Sequence, residues 1–299
     1  MRVDPTYISR LVSALDDATG REQGLSSQLA SGVRISALSD DPVAAGKNVL
    51  LLDQIQRDDA FSQTSSLETG QLQVADSALG GVVAQLNQAI SLATSANNGT
   101  KNASDLKAIA NQLAGILREV ESLANSNYQG QYIFAGGKTT TQPFSTSTTT
   151  TPGVTTYAGD SDVNYLVTPN GQQIQLNVPG DQIFLGPSSV FKVLNSLIAD
   201  FSTGTVNSTQ AAQDTEALTA ARNYVSQQRV QIDNSITQIS TASEVVTGER
   251  TQLSASQTEL MQADLATVAT QLSLTKTQQT ALESVIVQLG SRSLLDKLQ

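Results

Sequence analysis

Between residues 72 and 96, Leu72, Ala75, Leu79, Val82, Leu86, Ala89, Ala93 and Ala96 follow one another at alternating steps of three and four. That spacing lays an apolar stripe along one face of a helix. A second run, Leu106, Ile109, Leu113, Ile116, Val120 and Leu123, repeats it. Asn97-Asn98-Gly99-Thr100 between them is a turn signal, so the two runs predict a helical hairpin or a kinked long helix. The extreme N-terminus carries a weaker seam, Ile8, Leu11, Leu15, Ala18, Leu25 and Leu29, broken at Glu22 and ending near Gly32. The C-terminal seam has Leu265, Val268, Leu272, Leu282, Ile286 and Leu289, with Thr275 and Gln279 interrupting. Both are imperfect heptads with polar residues in core places. Such seams are marginal alone and become ordered against partners.

Proline marks what lies between. Of the seven prolines, none falls in 43–142 and none in 188–299, which leaves room for long helices at both ends. From 139 to about 187 the chain is rich in Thr, Gly and Pro. There Ile174, Leu176 and Val178 alternate with polar residues after the turn signal Pro169-Asn170-Gly171. Residues 146–151 are low in complexity and read as a solvated loop. A short helix over 190–201 follows. Ser208 or Thr209 then caps a long C-terminal arm, with Gly248 as a candidate break. If it ran unbroken to Leu289, that arm would span ~120 Å. The expected fold is mainly α, with long N- and C-terminal helices forming a coiled-coil or helical bundle and a small β-rich insert between the arms. The expected division is 1–138 as N-terminal arm and hairpin, 139–188 as insert, and 189–299 as C-terminal arm.

Composition sharpens this picture. Aromatic residues make up only 4% and tryptophan is absent, so Leu, Ile, Val and Ala are expected to fill the interior, which suits narrow helix–helix seams. A net charge of −10 and a pI near 4.4, with no basic stripe, argue against nucleic acid as a partner. The densest apolar run, Val49-Leu50-Leu51-Leu52, is far too short to span a membrane. Met1-Arg2-Val3-Asp4-Pro5 lacks the layout of a cleaved signal peptide. The expectation is a chain that stays in the cytoplasm or leaves by a route needing no such signal.

Chemistry is sparse. Without cysteine or histidine there is no thiolate, no imidazole base, and no Ser-His-Asp or zinc constellation. Asp40-Asp41 could hold a cation or act as acid and base, but Asp41 also suits capping of a helix opened by Pro42, which is the reading adopted. Gly136-Gly137-Lys138-Thr139 ends like a phosphate loop, yet Tyr132 stands where the pattern needs its first glycine, so no nucleotide site is drawn. Asp16-Asp17 and Asp58-Asp59, near Arg10, Arg21 and Arg57, read as solvated helix faces. The triplets Asn98-Gly99-Thr100 and Asn207-Ser208-Thr209 are too common to carry weight. No catalytic, cofactor or metal residues are assigned.

Two stretches are informative as wording. Leu25-Ser26-Ser27-Gln28-Leu29-Ala30-Ser31-Gly32-Val33-Arg34-Ile35, then Ser39-Asp40-Asp41-Pro42-Val43-Ala44-Ala45, resembles the N-terminal signature of the bacterial flagellin superfamily. Asn127-Tyr128-Gln129-Gly130-Gln131-Tyr132-Ile133-Phe134-Ala135-Gly136, followed by Pro143-Phe144, is similar to the superfamily's hook–filament junction branch. Thr277-Gln278-Gln279-Thr280-Ala281-Leu282-Glu283 and Ser293-Leu294-Leu295-Asp296-Lys297-Leu298 resemble that branch's ending. Two departures stand out: Lys297 lies near a place where the branch usually has an aromatic, and Pro42-Val43-Ala44 replaces the flagellins' Ala-Ala-Gly.

The resemblance implies an exported, non-enzymatic structural subunit without cofactor, passed unfolded through the flagellar type III apparatus. Its terminal arms would form an inner coiled-coil tube on assembly. Implied partners are copies of itself, flagellar hook-associated protein 1, flagellin and an export chaperone, with no nucleic acid and no membrane insertion. The tube seam would be Ile8, Leu11, Leu15, Leu25, Leu29, Leu265, Val268, Leu272, Leu282, Ile286 and Leu289. The family wording is carried by Ser31, Gly32, Arg34, Asp40, Asp41, Pro42, Tyr132, Phe134 and Gly136. Filament flagellin, an intracellular coiled-coil adaptor and an enzyme are the competing readings. The last is disfavoured by the missing catalytic constellation.

Overall fold

The computed structural model describes residues 5–98, 101–147, 153–186 and 189–295. Among the described residues seven helices carry the fold: α1 (Pro5–Ser31), α2 (Pro42–Ala96), α3 (Ala103–Ala124), α4 (Gly180–Phe184), α5 (Val190–Ser202), α6 (Ser208–Met261) and α7 (Leu265–Leu295). The same residues hold six short interposed strands: β1 (Asn127–Tyr128), β2 (Gln131–Tyr132), β3 (Phe144–Ser147), β4 (Val154–Tyr157), β5 (Tyr165–Val167) and β6 (Gln173–Gln175). This is the mainly α architecture expected, with the strands between the helical arms. The chain divides into two compact units, Met1–Gln56 with Glu249–Gln299, and Arg57–Gly248.

In the larger unit the apolar runs do what their spacing predicts. Leu72, Ala75, Leu79, Val82, Leu86, Ala89, Ala93 and Ala96 are all buried on α2, as are Leu106, Ile109, Leu113, Ile116 and Val120 on α3. The chain turns after Ala96, and α3 restarts on a capping box in which Asn102 and Asp105 satisfy each other's backbone N–H groups. Gly99 and Thr100 of the turn signal lie outside the described residues. Helix α6 buries Ala211, Leu218, Val225, Ile232, Ile239 and Val246, one residue every seven. Arg229 on α6 grips Asp76 on α2 through Nε at 2.7 Å and a second nitrogen at 2.9 Å.

Three expectations are corrected here. Helix α6 is capped by Asn207, whose side chain accepts from the Gln210 N–H at 3.3 Å, and not by Ser208 or Thr209. It runs through Gly248 without interruption and stops at Met261, so no single helix reaches Leu289. Asp264 causes the restart by accepting from the Ala266 and Thr267 N–H groups at 3.0 and 3.2 Å. Thr146 and Ser147 belong to β3 and not to a loop; 148–151 lie outside the described residues.

Strand pairing begins earlier than the composition suggested. The strands form three antiparallel hairpins, β1–β2, β3–β4 and β5–β6. The first turns through Gln129 and Gly130, both at positive φ (52° and 83°), as a two-residue hairpin turn demands. The third uses Gly171 at φ 82° within the expected turn. It buries Ile174 on β6, with Leu176 and Val178 buried just beyond it. The outer edge of β3 is closed by side chains from the end of α3. Asn125 exchanges two 2.9 Å hydrogen bonds with the Phe144 N–H and C=O, and Glu121 accepts from the Thr146 N–H at 3.2 Å.

Low aromatic content did not mean an absence of globular core. Phe134, Phe144, Phe184 and Phe191 are fully buried against one another, with ring centroids 5.2 to 5.7 Å apart, and Tyr157 stacks on Phe144 at 5.0 Å. The scarce aromatics are concentrated where the insert packs on α5.

Candidate functional site

The flagellin-like wording at residues 31–42 folds into a clasp that joins four helix ends within the smaller unit. Helix α1 stops because Gly32 takes φ +70°, its N–H donating to the Gln28 C=O at 2.8 Å. The Ser31 hydroxyl donates to the Ser27 C=O at 2.8 Å and accepts from the Val33 N–H at 3.2 Å. The chain then pairs with the link between α6 and α7. The Arg34 N–H donates to the Met261 C=O at 2.7 Å, and the Ala263 N–H donates to the Gly32 C=O at 2.9 Å. The Arg34 guanidinium reaches the Leu260 C=O at 3.1 Å, placing a cation at the C-terminal, electronegative end of α6.

The same guanidinium donates to the Asp41 carboxylate at 3.2 Å. Asp41 in turn caps α2, accepting from the Ala44 N–H at 3.0 Å, with Pro42 as the first helical residue. Its neighbour Asp40 folds back to accept from the Ser36 and Ala37 N–H groups, each at 2.9 Å. The adopted reading of the acidic pair thus holds, and each carboxylate has its own backbone donors. The Ala44 N–H, and then Arg34, hold the Asp41 carboxyl below the usual carboxylate range. The Ala37 and Ser36 N–H groups do the same for Asp40. Asp264 is depressed by the Thr267 hydroxyl and N–H and by the Ala266 N–H.

Beyond the clasp α1 packs along α7. On α1 the less exposed positions are Ile8, Leu11, Ala14, Leu15, Ala18, Thr19, Glu22, Leu25 and Gln28; on α7 they are Val268, Leu272, Thr275, Gln279, Leu282, Ile286 and Leu289. Two residues assigned to the seam, Leu29 and Leu265, are 39% and 48% exposed and lie at its clasp end. The polar interruptions meet each other: Gln279 donates to the Thr19 hydroxyl at 3.3 Å, and Lys276 stands 3.7 Å from Glu22. Beside them a shallow groove of about 430 Å³ is lined by Ala14, Ala18, Arg21, Ala281, Leu282 and Val285.

The Tyr132–Gly136 wording belongs to the larger unit and serves its aromatic core. Tyr132 lies on β2, its N–H donating to the Thr139 C=O at 2.7 Å. Phe134 is 1% exposed, and its C=O accepts from the Gly180 N–H at 2.9 Å and the Tyr157 hydroxyl at 3.0 Å. Burial, with Asp181 and Asp160 nearby, pushes the Tyr157 phenol up to about 12, so it remains a donor. Gly136 has φ +67° and would set any Cβ against Asp160. The Gly137 N–H donates to the Asp160 carboxylate. A side chain of the protein therefore occupies the N–H that a phosphate would need. Sequence reasoning did not single out Asp160, Tyr157 or Asn125, since each acts through a partner distant in the chain.

Among the described residues, no group of three or more acidic side chains is placed to hold a metal ion, and no helix is long and apolar enough to cross a membrane. Asp296, Lys297 and Leu298 of the C-terminal wording lie outside the described residues.

Comparison with known proteins agrees with these features. Residues 9–139 match the family model of the bacterial flagellin N-terminal helical region. Flagellar hook-associated protein 3 of Salmonella typhimurium is 30% identical over 138 residues, 46% of this chain and 44% of that protein. The chain's aligned part thus spans less than half of that relative. Among solved structures, a flagellar hook-associated protein from Vibrio parahaemolyticus superposes with a TM-score of 0.67 at 19% identity, over 75% of this chain and all of that one. Hook-associated protein 3 from Legionella pneumophila gives 0.62 at 15% identity, over 71% of this chain and 98% of that one. The resemblance read from the wording at residues 25–45 and 127–136 is borne out, and so is the fold.

Proposed function

We propose that the chain is a structural, non-catalytic subunit of the bacterial flagellum, placed where the hook meets the filament. The observation that carries this reading is the 30% identity over 138 residues to flagellar hook-associated protein 3, beside two blocks whose wording resembles the flagellin superfamily and its junction branch. One is the clasp built by Ser31, Gly32, Arg34, Asp40, Asp41 and Pro42. The other is the Tyr132–Gly136 segment that organises the aromatic core. The arms at 1–138 and 189–299 supply the polymerising helices, and 139–188 supplies the insert. In the assembled organelle Ile8, Leu11, Leu15, Leu25, Leu29, Leu265, Val268, Leu272, Leu282, Ile286 and Leu289 line the tube formed with copies of itself. Its axial neighbours are hook-associated protein 1 and flagellin, and an export chaperone is a further partner.

The matched family model is named for flagellin, so a filament subunit is the one competitor with an observation behind it. In-frame deletion separates the two. Loss of filaments with flagellin accumulating in the medium supports the junction role. Loss of filaments without secreted flagellin assigns the filament, and normal flagella refute both.

A further inference from the structure

We propose that Asn170, in the turn between β5 and β6, is a masked site of spontaneous deamidation. The folded hairpin keeps its amide intact, and opening of the hairpin releases it to become aspartate or isoaspartate. Pro169-Asn170-Gly171 shapes the turn, and the same residues carry this chemistry. It does not depend on the junction role.

Deamidation is fastest where glycine follows asparagine, because a residue without a Cβ leaves its backbone nitrogen uncrowded and its backbone free to turn. The Gly171 nitrogen gives up its proton and attacks the side-chain carbonyl carbon of Asn170. The new C–N bond closes a succinimide ring, and the bond to the side-chain nitrogen breaks to release ammonia. Water then opens the ring at either carbonyl, giving aspartate or isoaspartate. Overall a water is consumed and an ammonia released, with no oxidant, reductant or further reactant.

Burial does not protect this site, since Asn170 and Gly171 are both exposed. Hydrogen bonding does. The Gly171 N–H donates to the Thr168 C=O at 2.8 Å, which holds the proton that must leave. Among the described residues Gln129 is the non-glycine residue at positive φ, so Asn170 is not, and the turn from Thr168 to Gly171 is type I. The third residue of such a turn has ψ of about 0°, which keeps the next nitrogen out of line with the side-chain carbonyl. Flanking bonds lock the arrangement. The Thr168 N–H donates to the Gln172 C=O at 2.9 Å, and the Thr168 hydroxyl oxygen accepts from the Gln172 N–H at 3.0 Å. Leu166 and Ile174, both buried, anchor the strands on either side. The Gly171 nitrogen is therefore freed only when the hairpin opens.

Conversion then marks the chain. Aspartate places a charge on an exposed turn, which the hairpin tolerates. Isoaspartate routes the main chain through the former side chain and lengthens the turn by a backbone carbon. Loop length sets hairpin register, so the longer turn displaces Leu166 from its partner Ile174.

Purified full-length protein is aged at neutral pH, folded and in guanidinium chloride, and the peptide spanning residue 170 is followed by mass spectrometry. Folded chains should convert about tenfold more slowly than unfolded ones or slower still, because hairpin opening gates the reaction. Equal rates would overturn the proposal. Pro169→Gly loosens the turn and should raise the folded rate, relative to that variant's own unfolded rate, about fivefold. An unchanged ratio also overturns it. Chains aged unfolded and then refolded give a second readout. Those carrying isoaspartate should exchange the Thr168 N–H for deuterium about tenfold faster than Asn170→Asp protein, which holds the charge without the longer turn. Equal exchange in the two overturns the loss of register. Neither readout involves a flagellum, so each can fail while the junction role stands.

Discussion

At Gly32 the chain takes φ +70° to end α1, a conformation that costs any residue with a Cβ about 1–2 kcal/mol. Gly32→Ala is therefore expected to lower the midpoint of thermal unfolding of the smaller unit by that amount of stability. Gly136→Ala should cost more, because the added Cβ also meets Asp160. Circular dichroism melts of both variants check this, and the reverse order would contradict the geometry. The titrating residues carry signs. Asp40, Asp41 and Asp264 have folded-state pKa values below the ordinary 3.8. Their contribution is present above that value and is lost as pH falls through their depressed folded values. Asp200 is shifted the other way, by burial and then by Asp214, so its ionisation works against folding once the pH exceeds its ordinary value. Asp200→Asn is predicted to raise the melting midpoint at pH 7 and to lose that advantage in acid. At this scale the sequence was legible where the chemistry is local. Asp41 beside Pro42 announces a cap, whereas the Leu260 C=O that Arg34 grips lies 226 residues away and leaves no mark near Arg34.

Among the elements, α2 and α3 were readable because their apolar steps are nearly unbroken. Helix α6 has an equally strict repeat at Ala211, Leu218, Val225, Ile232, Ile239 and Val246, and it went unread. Its alternate core places hold Asp214, Ala221 and Gln228, which dilute a three-and-four pattern while leaving the seven-residue one intact. Where α6 ends was equally hidden. Gly248 was the local candidate for a break, but a single glycine costs a long packed helix only about 1 kcal/mol. The actual break depends on Asp264 capping α7, and Asp264→Ala should cost about 0.5–2 kcal/mol and let the ends of α6 and α7 fray. Hydrogen exchange at Ala266 and Thr267 would report it. In the insert, Asn125→Ala should cost about 1–3 kcal/mol, since it leaves the Phe144 N–H without its partner at the edge of β3.

For the whole molecule, average composition misled in one respect. Aromatic content of 4% suits a coiled coil, yet the larger unit gathers its phenylalanines into one core. Among the described residues of the smaller unit, the buried hydrophobic side chains are Ala18, Ile35, Ala44, Ala263 and Val268, four of the five being Ala or Val. Mild proteolysis should therefore cut within the smaller unit before the larger one, and fragments beginning inside α3 at early times would contradict that. The proposed role asks the helices of the smaller unit, α1 and α7, to assemble with copies of the chain. The most direct test of that role is to locate the protein on intact cells by immunogold electron microscopy. The account predicts gold at one narrow zone between hook and filament. Label along the whole filament, or confined to the cell interior, would contradict it.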